Sequence, residues 1–267
     1  MKPEVLGLPK NVSLPEGTAR NTGFPVYSVV VPFYNEEVAA PHLLREILAV
    51  MARLDGPAEC LCIDDGSSDG TAALLNAFAA QPGSPVRVIA FQKNRGQAAA
   101  LWAGLHAARG RIILTMDGDG QNEPGDIPRL LDALTGADMV VGVRQNRRDN
   151  ASRRWMSRLA NAVRARILGD GMRDSGCALK SFRREVVGAL IQLRTLYSFI
   201  PAMAVAAGFR IRQIPVQHRA RTGGRSSYGA LVFLWRPLVD LVGMWWFSRR
   251  AFPQVEQPRN SVGEQIT

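Results

Sequence analysis

The chain is predicted to be an α/β protein built on a largely parallel sheet, and three observations predict it. Short apolar runs alternate with segments of helical spacing through residue 143. Two of those runs end in acidic clusters about fifty residues apart: Asp64-Asp65-Gly66-Ser67-Ser68-Asp69-Gly70 and Asp117-Gly118-Asp119-Gly120-Gln121. Carboxylates at strand ends point into the crevice where open α/β sheets bind ligands. Crowding several there costs electrostatic free energy, which a divalent cation or a hydrogen-bonding ligand offsets.

The elements follow in order. Residues 28–32 form a buried-type apolar run and the first strand. The Asn35-Glu36-Glu37 turn leads into a helix over roughly 38–53, with apolar spacing at Val38, Leu44, Ile47, Leu48 and Met51. Strand two is placed at 58–63, and Asp69 is the expected N-cap of a helix to about 80. Residues 86–90 are strand three, and 96–108 an alanine-rich helix ended by Gly110. Strand four is 111–116, Pro124 opens a helix to about 135, and 139–143 is strand five. After 143 the pattern changes. A basic helix over 152–168, a short strand near 177–182, a helix or two through 207 and an edge strand at 209–217 are expected. A Gly/Ser/Arg loop at 219–227 and a largely apolar element at 229–247 complete the reading.

The 267 residues, 46% apolar, fit one large domain or one domain with a tail. The net charge of +10 is unevenly placed. Residues 1–140 hold 11 basic and 16 acidic side chains, net −5, whereas 141–250 hold 21 and 5, net +16. The second half therefore suits anions such as phosphates, nucleic acid or a negative membrane surface, or is a solvated basic face. No nucleic-acid reading module is recognisable, so nucleic acid is not expected as a partner. Cys60, Cys62 and Cys177 make an odd count without a disulfide framework, which fits a reducing compartment, and no Cys/His spacing points to zinc. His42, His106 and His218 are scattered and read as structural or surface residues. Residues 1–24 lack the continuous apolar stretch of a signal peptide and read as a flexible arm. Neither Gly-x-Gly-x-x-Gly nor Gly-x-x-x-x-Gly-Lys-Ser/Thr occurs, which disfavours a dehydrogenase or a P-loop enzyme.

The chemistry concentrates at Asp117-Gly118-Asp119. Two carboxylates flank a small residue at a strand end, so both can turn toward one hard cation without crowding a diphosphate. Mg²⁺ and Mn²⁺ prefer oxygen ligands and keep positions open for phosphate oxygens. The alternative for this motif alone is a charged surface turn. Asp65-Gly66-Ser67 also reads as an ordinary turn with local backbone capping. Lys93-Asn94-Arg95-Gly96 is either a structural turn or a helix N-terminus whose amides suit an anion. Arg153 and Ser157 stand at i and i+4 on one helix face, and Arg offers a fork of donors matched to phosphate.

In order along the chain come Val30-Val31-Pro32-Phe33-Tyr34-Asn35-Glu36-Glu37, Asp64-Asp65-Gly66-Ser67-Ser68-Asp69-Gly70-Thr71, Asn94-Arg95-Gly96, Met116-Asp117-Gly118-Asp119-Gly120-Gln121, Asp174-Ser175-Gly176-Cys177 and Arg221-Thr222-Gly223-Gly224-Arg225-Ser226-Ser227-Tyr228-Gly229. In these six stretches the chain resembles family 2 glycosyltransferases of the GT-A fold, in the polyprenyl-phosphate (dolichol-phosphate mannosyltransferase-like) branch. The resemblance covers roughly residues 28–230. It implies a Rossmann-like GT-A domain at 25–228 and an inverting transferase of the hexosyltransferase type, active in cell envelope biosynthesis. The donor would be a UDP- or GDP-sugar, the acceptor a polyprenyl phosphate and the cofactor Mg²⁺ or Mn²⁺. By resemblance Asp117, Asp119 and Gln121 hold the metal and form the catalytic set. Pro32, Tyr34, Glu36 and one or both of Asp64 and Asp65 line the nucleotide site. Arg144, Arg153, Ser157 and Arg221 contact the acceptor phosphate. Asp174 is a base or an organiser of the acceptor loop. The sequence departs from the family at Ser227, where Lys is usual, and at Gly120, where a larger apolar residue is usual.

Residues 229–247 are apolar apart from Arg236 and Asp240. As a helix they would span ~28 Å, but Arg236-Pro237 and Asp240 make a membrane span unattractive. Trp245-Trp246-Phe247 followed by Arg249-Arg250 suits an interface. An amphipathic membrane-interface helix at 229–250 is therefore expected, with core packing or a dimer contact as alternatives and a homo-oligomer left open. Residues 251–267 form a polar tail, without the transmembrane helices that follow in many relatives. A peripheral, monotopic enzyme on the cytoplasmic face of the membrane results. Two other functions stay open: a transferase acting on a hydroxyl of a lipid, glycan or protein with Asp174 as base, and a non-catalytic nucleotide-sugar-binding scaffold.

Overall fold

The computed structural model describes residues 24–145, 162–220 and 240–246. Its strands are Tyr27–Phe33 (β1), Ala58–Asp64 (β2), Val86–Ala90 (β3), Ile112–Thr115 (β4), Met139–Arg144 (β5), Lys180–Arg183 (β6) and Ile211–Val216 (β7). Its α-helices are Ala40–Met51 (α1), Thr71–Ala79 (α2), Gln97–Ala107 (α3), Ile127–Ala133 (α4), 162–168 (α5), Leu196–Ala206 (α6) and 240–246 (α7). The strands form one sheet in the order β3-β2-β1-β4-β6-β5-β7. Every pairing is parallel except those of β6, which runs antiparallel to both β4 and β5.

The chain winds outward through β1, β2 and β3, then returns to place β4 on the other side of β1. The order reverses there, and in open α/β sheets such a switch point is where ligands bind, outside the C-terminal ends of the strands. Both faces of the sheet are covered, which is why β1 reads as a continuous apolar run. Side chains alternate across it. Val29 and Val31 join Leu44, Ile47 and Leu75 under α1 and α2, whereas Val30 joins Ile63, Leu105 and Phe199 under α3 and α6.

Several expected boundaries move for physical reasons. α3 ends at Ala107, with Ala108 already extended, so Gly110 does not terminate it. Gly110 is small because β1 passes it closely: a Cβ there would lie 2.6 Å from the Ser28 amide nitrogen. Pro124 opens a 3₁₀ turn, Pro124–Asp126, before α4 begins at Ile127. Asp69 sits one residue outside the cap of α2, yet its carboxylate accepts from the Thr71 amide at 3.0 Å. The predicted edge strand is β7, carrying Pro215 and Arg212, residues that discourage further pairing.

The last predicted helix is described only over 240–246. Leu241 and Met244 sink into the core cluster beneath α6, and Asp240 accepts from the Thr195 hydroxyl at 2.5 Å. Val242 and Trp246 face outward, 63% and 55% exposed. Residues 229–239 of that helix, the arm at 1–23, most of the 219–227 loop and the tail at 251–267 lie outside the described residues. Among the described residues no helix is long and apolar enough to cross a membrane.

Candidate active site

Three loops meet at the switch point. The first leaves β1 at Tyr34, and Asn35 adopts the left-handed region with φ 53°. Asn tolerates this better than other side-chain-bearing residues, and its amide group repays the cost. Asn35 Oδ1 accepts from the Ser68 amide at 2.8 Å, and its own amide donates to Ser67 Oγ at 3.0 Å. One residue on, the Glu36 amide donates to Thr71 Oγ1 at 2.9 Å. The β1 loop is thereby fastened to the β2 loop, with Glu36 buried between them.

Asp64 and Asp65, each 2% exposed, end β2 with different tasks. Asp64 Oδ1 accepts from the amide and hydroxyl of Ser67, closing its own turn. Asp65 reaches into the third loop, where its carboxylate accepts from Asn94 Nδ2 at 3.1 Å and from the amides of Arg95 and Gly96 at 2.7 and 2.9 Å. Burial pushes the Asp65 carboxyl up, against the pull of those two amides. The amides that the sequence offered to an external anion at Lys93-Asn94-Arg95-Gly96 are, at Arg95 and Gly96, taken by the protein's own carboxylate.

That turn starts α3 at Gln97, whose Nε2 donates to Asp117 Oδ1 at 2.5 Å. Asp117 and Asp119 follow β4. Gly118 between them is dictated by packing: a Cβ would stand 2.5 Å from Phe33 Cδ1 and 2.6 Å from the Pro32 carbonyl oxygen. The motif thus lies flush against the end of β1. Asn122 Oδ1 accepts from the Asp117 amide at 3.0 Å, and Asp119 Oδ1 from the Gln121 amide at 3.1 Å. Burial and the neighbouring Asp119 charge push the Asp117 carboxyl up to about 7, against Lys180, Arg144 and Gln97. A pair of carboxylates held in mutual repulsion is a fit donor set for a hard divalent cation. Among the described residues no group of three His, Cys, Asp or Glu side chains is placed to hold a metal ion.

The far wall comes from β5 and β6. Arg144 ends β5 and meets Asp174 edge to edge, Nε to Oδ2 at 2.8 Å and Nη2 to Oδ1 at 2.7 Å, with the Arg144 amide adding a third bond at 3.1 Å. Burial pulls the Arg144 guanidinium down, but the bond and charge of Asp174 raise it overall. Both oxygens of Asp174 thus accept hydrogen bonds from Arg144. Lys180, 1% exposed, projects from β6 and donates to the Cys177 carbonyl. Burial lowers its ammonium, while Cys177, Asp117 and Asp174 act to raise it.

Pro32, Tyr34, Glu36, Asp64, Asp65, Asp117, Asp119 and Gln121 therefore lie on the strand ends and following loops at one end of the sheet, and Arg144 with Asp174 flank them. Arg153, Ser157 and Arg221 lie outside the described residues. Two site residues went unread in the sequence. Gln97 looks like an ordinary first-turn helix residue, and only its position one past the Asn94-Arg95-Gly96 turn hints at the crevice. Lys180 carries a faint signal as a charge inside an apolar run, Ala178-Leu179-Lys180.

The family model described as Glycosyl transferase family 2 matches residues 28–191, more than half the chain. This protein is a family 2 glycosyltransferase. Relatives include undecaprenyl-phosphate 4-deoxy-4-formamido-L-arabinose transferases. That of Pseudomonas fluorescens (strain SBW25) is 41% identical over 211 residues, covering 78% of this chain and 62% of the relative. That of Sodalis glossinidius is 40% identical over 216 residues, covering 80% and 66%. The glycosyltransferase thus spans just under two thirds of the length of these relatives. Its fold matches glucosyl-3-phosphoglycerate synthase from Mycobacterium tuberculosis, solved with Mn²⁺, UDP-glucose and phosphoglyceric acid, at TM-score 0.61 and 21% identity over 84% of this chain and 79% of that one. The same enzyme solved with Mg²⁺ and UDP gives TM-score 0.62, again at 21% identity over 84% and 79%. The expected GT-A architecture is therefore the observed one.

Proposed function

We propose that this glycosyltransferase moves a sugar from a UDP- or GDP-sugar to a polyprenyl phosphate of the undecaprenyl type, with inversion and with Mg²⁺ or Mn²⁺ at Asp117 and Asp119. The observation that carries the reading is the 40–42% identity to transferases whose names state undecaprenyl phosphate as acceptor. An oxygen of the acceptor phosphate attacks the anomeric carbon from the face opposite the diphosphate. The bond from that carbon to the diphosphate oxygen breaks, and the nucleoside diphosphate leaves. The attacking phosphate is already ionised near neutral pH, so no protein base is needed. The cation supplies positive charge toward the leaving diphosphate when bound.

Each residue then has a task. Asp117 and Asp119 offer the cation their carboxylates, Gln121 stands third, and Gln97 holds Asp117 in place. Pro32, Tyr34, Glu36 and Asp64 line the nucleotide site, and Asp65 acts on it through the 94–96 turn. Asp174 holds the Nε–Nη2 edge of Arg144 and so sets the direction in which the guanidinium meets the acceptor phosphate. Arg153, Ser157 and Arg221 complete the acceptor site. A hydroxyl acceptor would need Asp174 as base, and the paired hydrogen bonds it accepts from Arg144 speak against that use. A non-catalytic scaffold would have no use for the intact acidic pair.

A peripheral position on the cytoplasmic face of the membrane belongs to the same proposal. It is supported by the outward Val242 and Trp246 of α7 and by the exposed Val163 and Ile167 of α5. The test is incubation with Mn²⁺ or Mg²⁺, undecaprenyl phosphate and a panel of radiolabelled UDP- and GDP-sugars, including UDP-4-deoxy-4-formamido-L-arabinose. Label entering the organic phase from one donor, and lost with EDTA, is expected. Donor hydrolysis without lipid label would move the acceptor to a hydroxyl.

A further inference from the structure

Immediately before the Arg221 loop, the chain crosses back over the metal motif. Asn122 and His218 form an isolated antiparallel bridge, the Arg219 amide donates to the Gln121 carbonyl at 2.9 Å, and the Gln217 amide donates to Asp126 Oδ2 at 2.7 Å. The Arg219 guanidinium then grips two carboxylates from separate parts of the fold. Its Nε donates to Glu123 Oε2 at 2.6 Å, and Nη1 to both oxygens of Glu46 on α1 at 2.9 and 2.8 Å. One side chain therefore ties α1, the segment after Gln121 and the approach to Arg221.

These pairs are partly exposed, so they add little to global stability. Their geometry is nevertheless specific. A planar fork bridges two carboxylates in fixed directions, which a lysine ammonium on its flexible stem cannot reproduce. What the grip fixes is the path of 121–123 relative to α1, and hence the placement of Gln121 beside Asp117 and Asp119.

We propose that Arg219 is a positioning residue: by gripping Glu46 and Glu123 while its amide holds the Gln121 carbonyl, it sets how tightly the site binds a divalent cation with a nucleoside diphosphate. The inference rests on the proposed role of Gln121 as a third ligand of metal or diphosphate. Loss of the grip frees the 121–123 segment, and an ordering free energy of about 1.4 kcal/mol corresponds to tenfold in affinity.

The test is calorimetric titration of the full chain with Mn²⁺ plus UDP and, separately, Mn²⁺ plus GDP, for wild type, Arg219→Ala, Arg219→Lys and Glu46→Gln. Arg219→Ala is expected to weaken the better of the two nucleotides about tenfold, with Tm nearly unchanged. Arg219→Lys should fail to restore affinity. Glu46→Gln, which leaves the Glu123 contact intact, should weaken binding about threefold. Binding by Arg219→Ala within twofold of wild type, or no binding by wild type at all, overturns the inference. If Arg219→Ala does not fold, Glu46→Gln decides: unchanged affinity there overturns it. Wild type that binds Mn²⁺ and nucleotide but transfers nothing to lipid would sink the acceptor reading alone, since the Arg219 comparison is made on binding.

Discussion

Asp174 and Arg144 stand thirty residues apart in sequence and meet edge to edge, with two side-chain bonds of 2.7 and 2.8 Å and a third from the Arg144 amide at 3.1 Å. The carboxylate fixes both the plane and the direction of the guanidinium. Replacing Asp174 by Asn turns an NH₂ toward one guanidinium nitrogen and leaves a half-buried cation without its counter-charge. The expected cost is about 3 kcal/mol of stability, read from urea denaturation. Transfer to a phosphate acceptor should survive with a raised acceptor KM. A folded Asp174→Asn protein with no transfer at saturating acceptor would instead mark Asp174 as a base.

Asp119→Ala leaves Asp117 without its repulsive neighbour and removes one of the two carboxylates proposed to hold the cation. Transfer should fall by about three orders of magnitude, the scale of losing a principal electrostatic partner of the transition state, and EDTA should do the same to wild type. The metal-free variant should be no less stable than wild type, because a like-charge repulsion has gone. Near-normal lipid labelling by Asp119→Ala would remove the metal assignment.

Gly118→Ala tests the packing of the motif. The added methyl must displace Phe33 or the end of β1, at a cost of about 1–3 kcal/mol. A matched drop in Mn²⁺ affinity is expected from the shifted carboxylates. Unchanged denaturation midpoint and affinity would show that the end of β1 yields freely.

Asp65→Ala would strand three donors of the 94–96 turn. The three donors sit on exposed or half-buried residues where water can partly replace the carboxylate, so a total loss of about 1–2 kcal/mol is expected. Amide exchange should accelerate at Arg95 and Gly96, and affinity for metal should weaken because Gln97 then holds Asp117 less firmly. Slow exchange at those amides in the variant would contradict the capping role.

Tyr27 gives a pH dependence remote from the crevice. Burial, and then its hydrogen bond to Asp55, raise its hydroxyl from 10.0 to about 12. The folded state keeps this proton where the unfolded chain loses it. The contribution is therefore whole below pH 10 and fades as pH rises toward 12. Tyr27→Phe should cost about 1 kcal/mol at pH 8. The gap between variant and wild type should close above pH 10 in urea titrations. A constant gap across that range would rule out the shift.

Much of this was legible in local sequence. Five strands, the helices between them and the two acidic strand ends follow from apolar runs and turn residues, which report nearby structure because side-chain period and backbone geometry are local. Burial of β1 on both faces made its signal continuous, and the three cysteines sit buried as strand and loop packing residues. β6 was harder. Four residues carry too little periodicity to reveal direction, and its antiparallel insertion between β4 and β5 depends on pairing with Thr115 and Val141 far along the chain.

The sequence by itself determined the fold class, the family and the acidic pair at the end of β4, since those reside in contiguous motifs whose chemistry is local. Tertiary structure alone decided that Asp65 caps the 94–96 turn, that Gln97 holds Asp117, that Asp174 is committed to Arg144, and that Lys180 is buried beside them. Each of these is a meeting of residues from different loops. Such a meeting is fixed by strand order and register, and no periodicity along the chain records it.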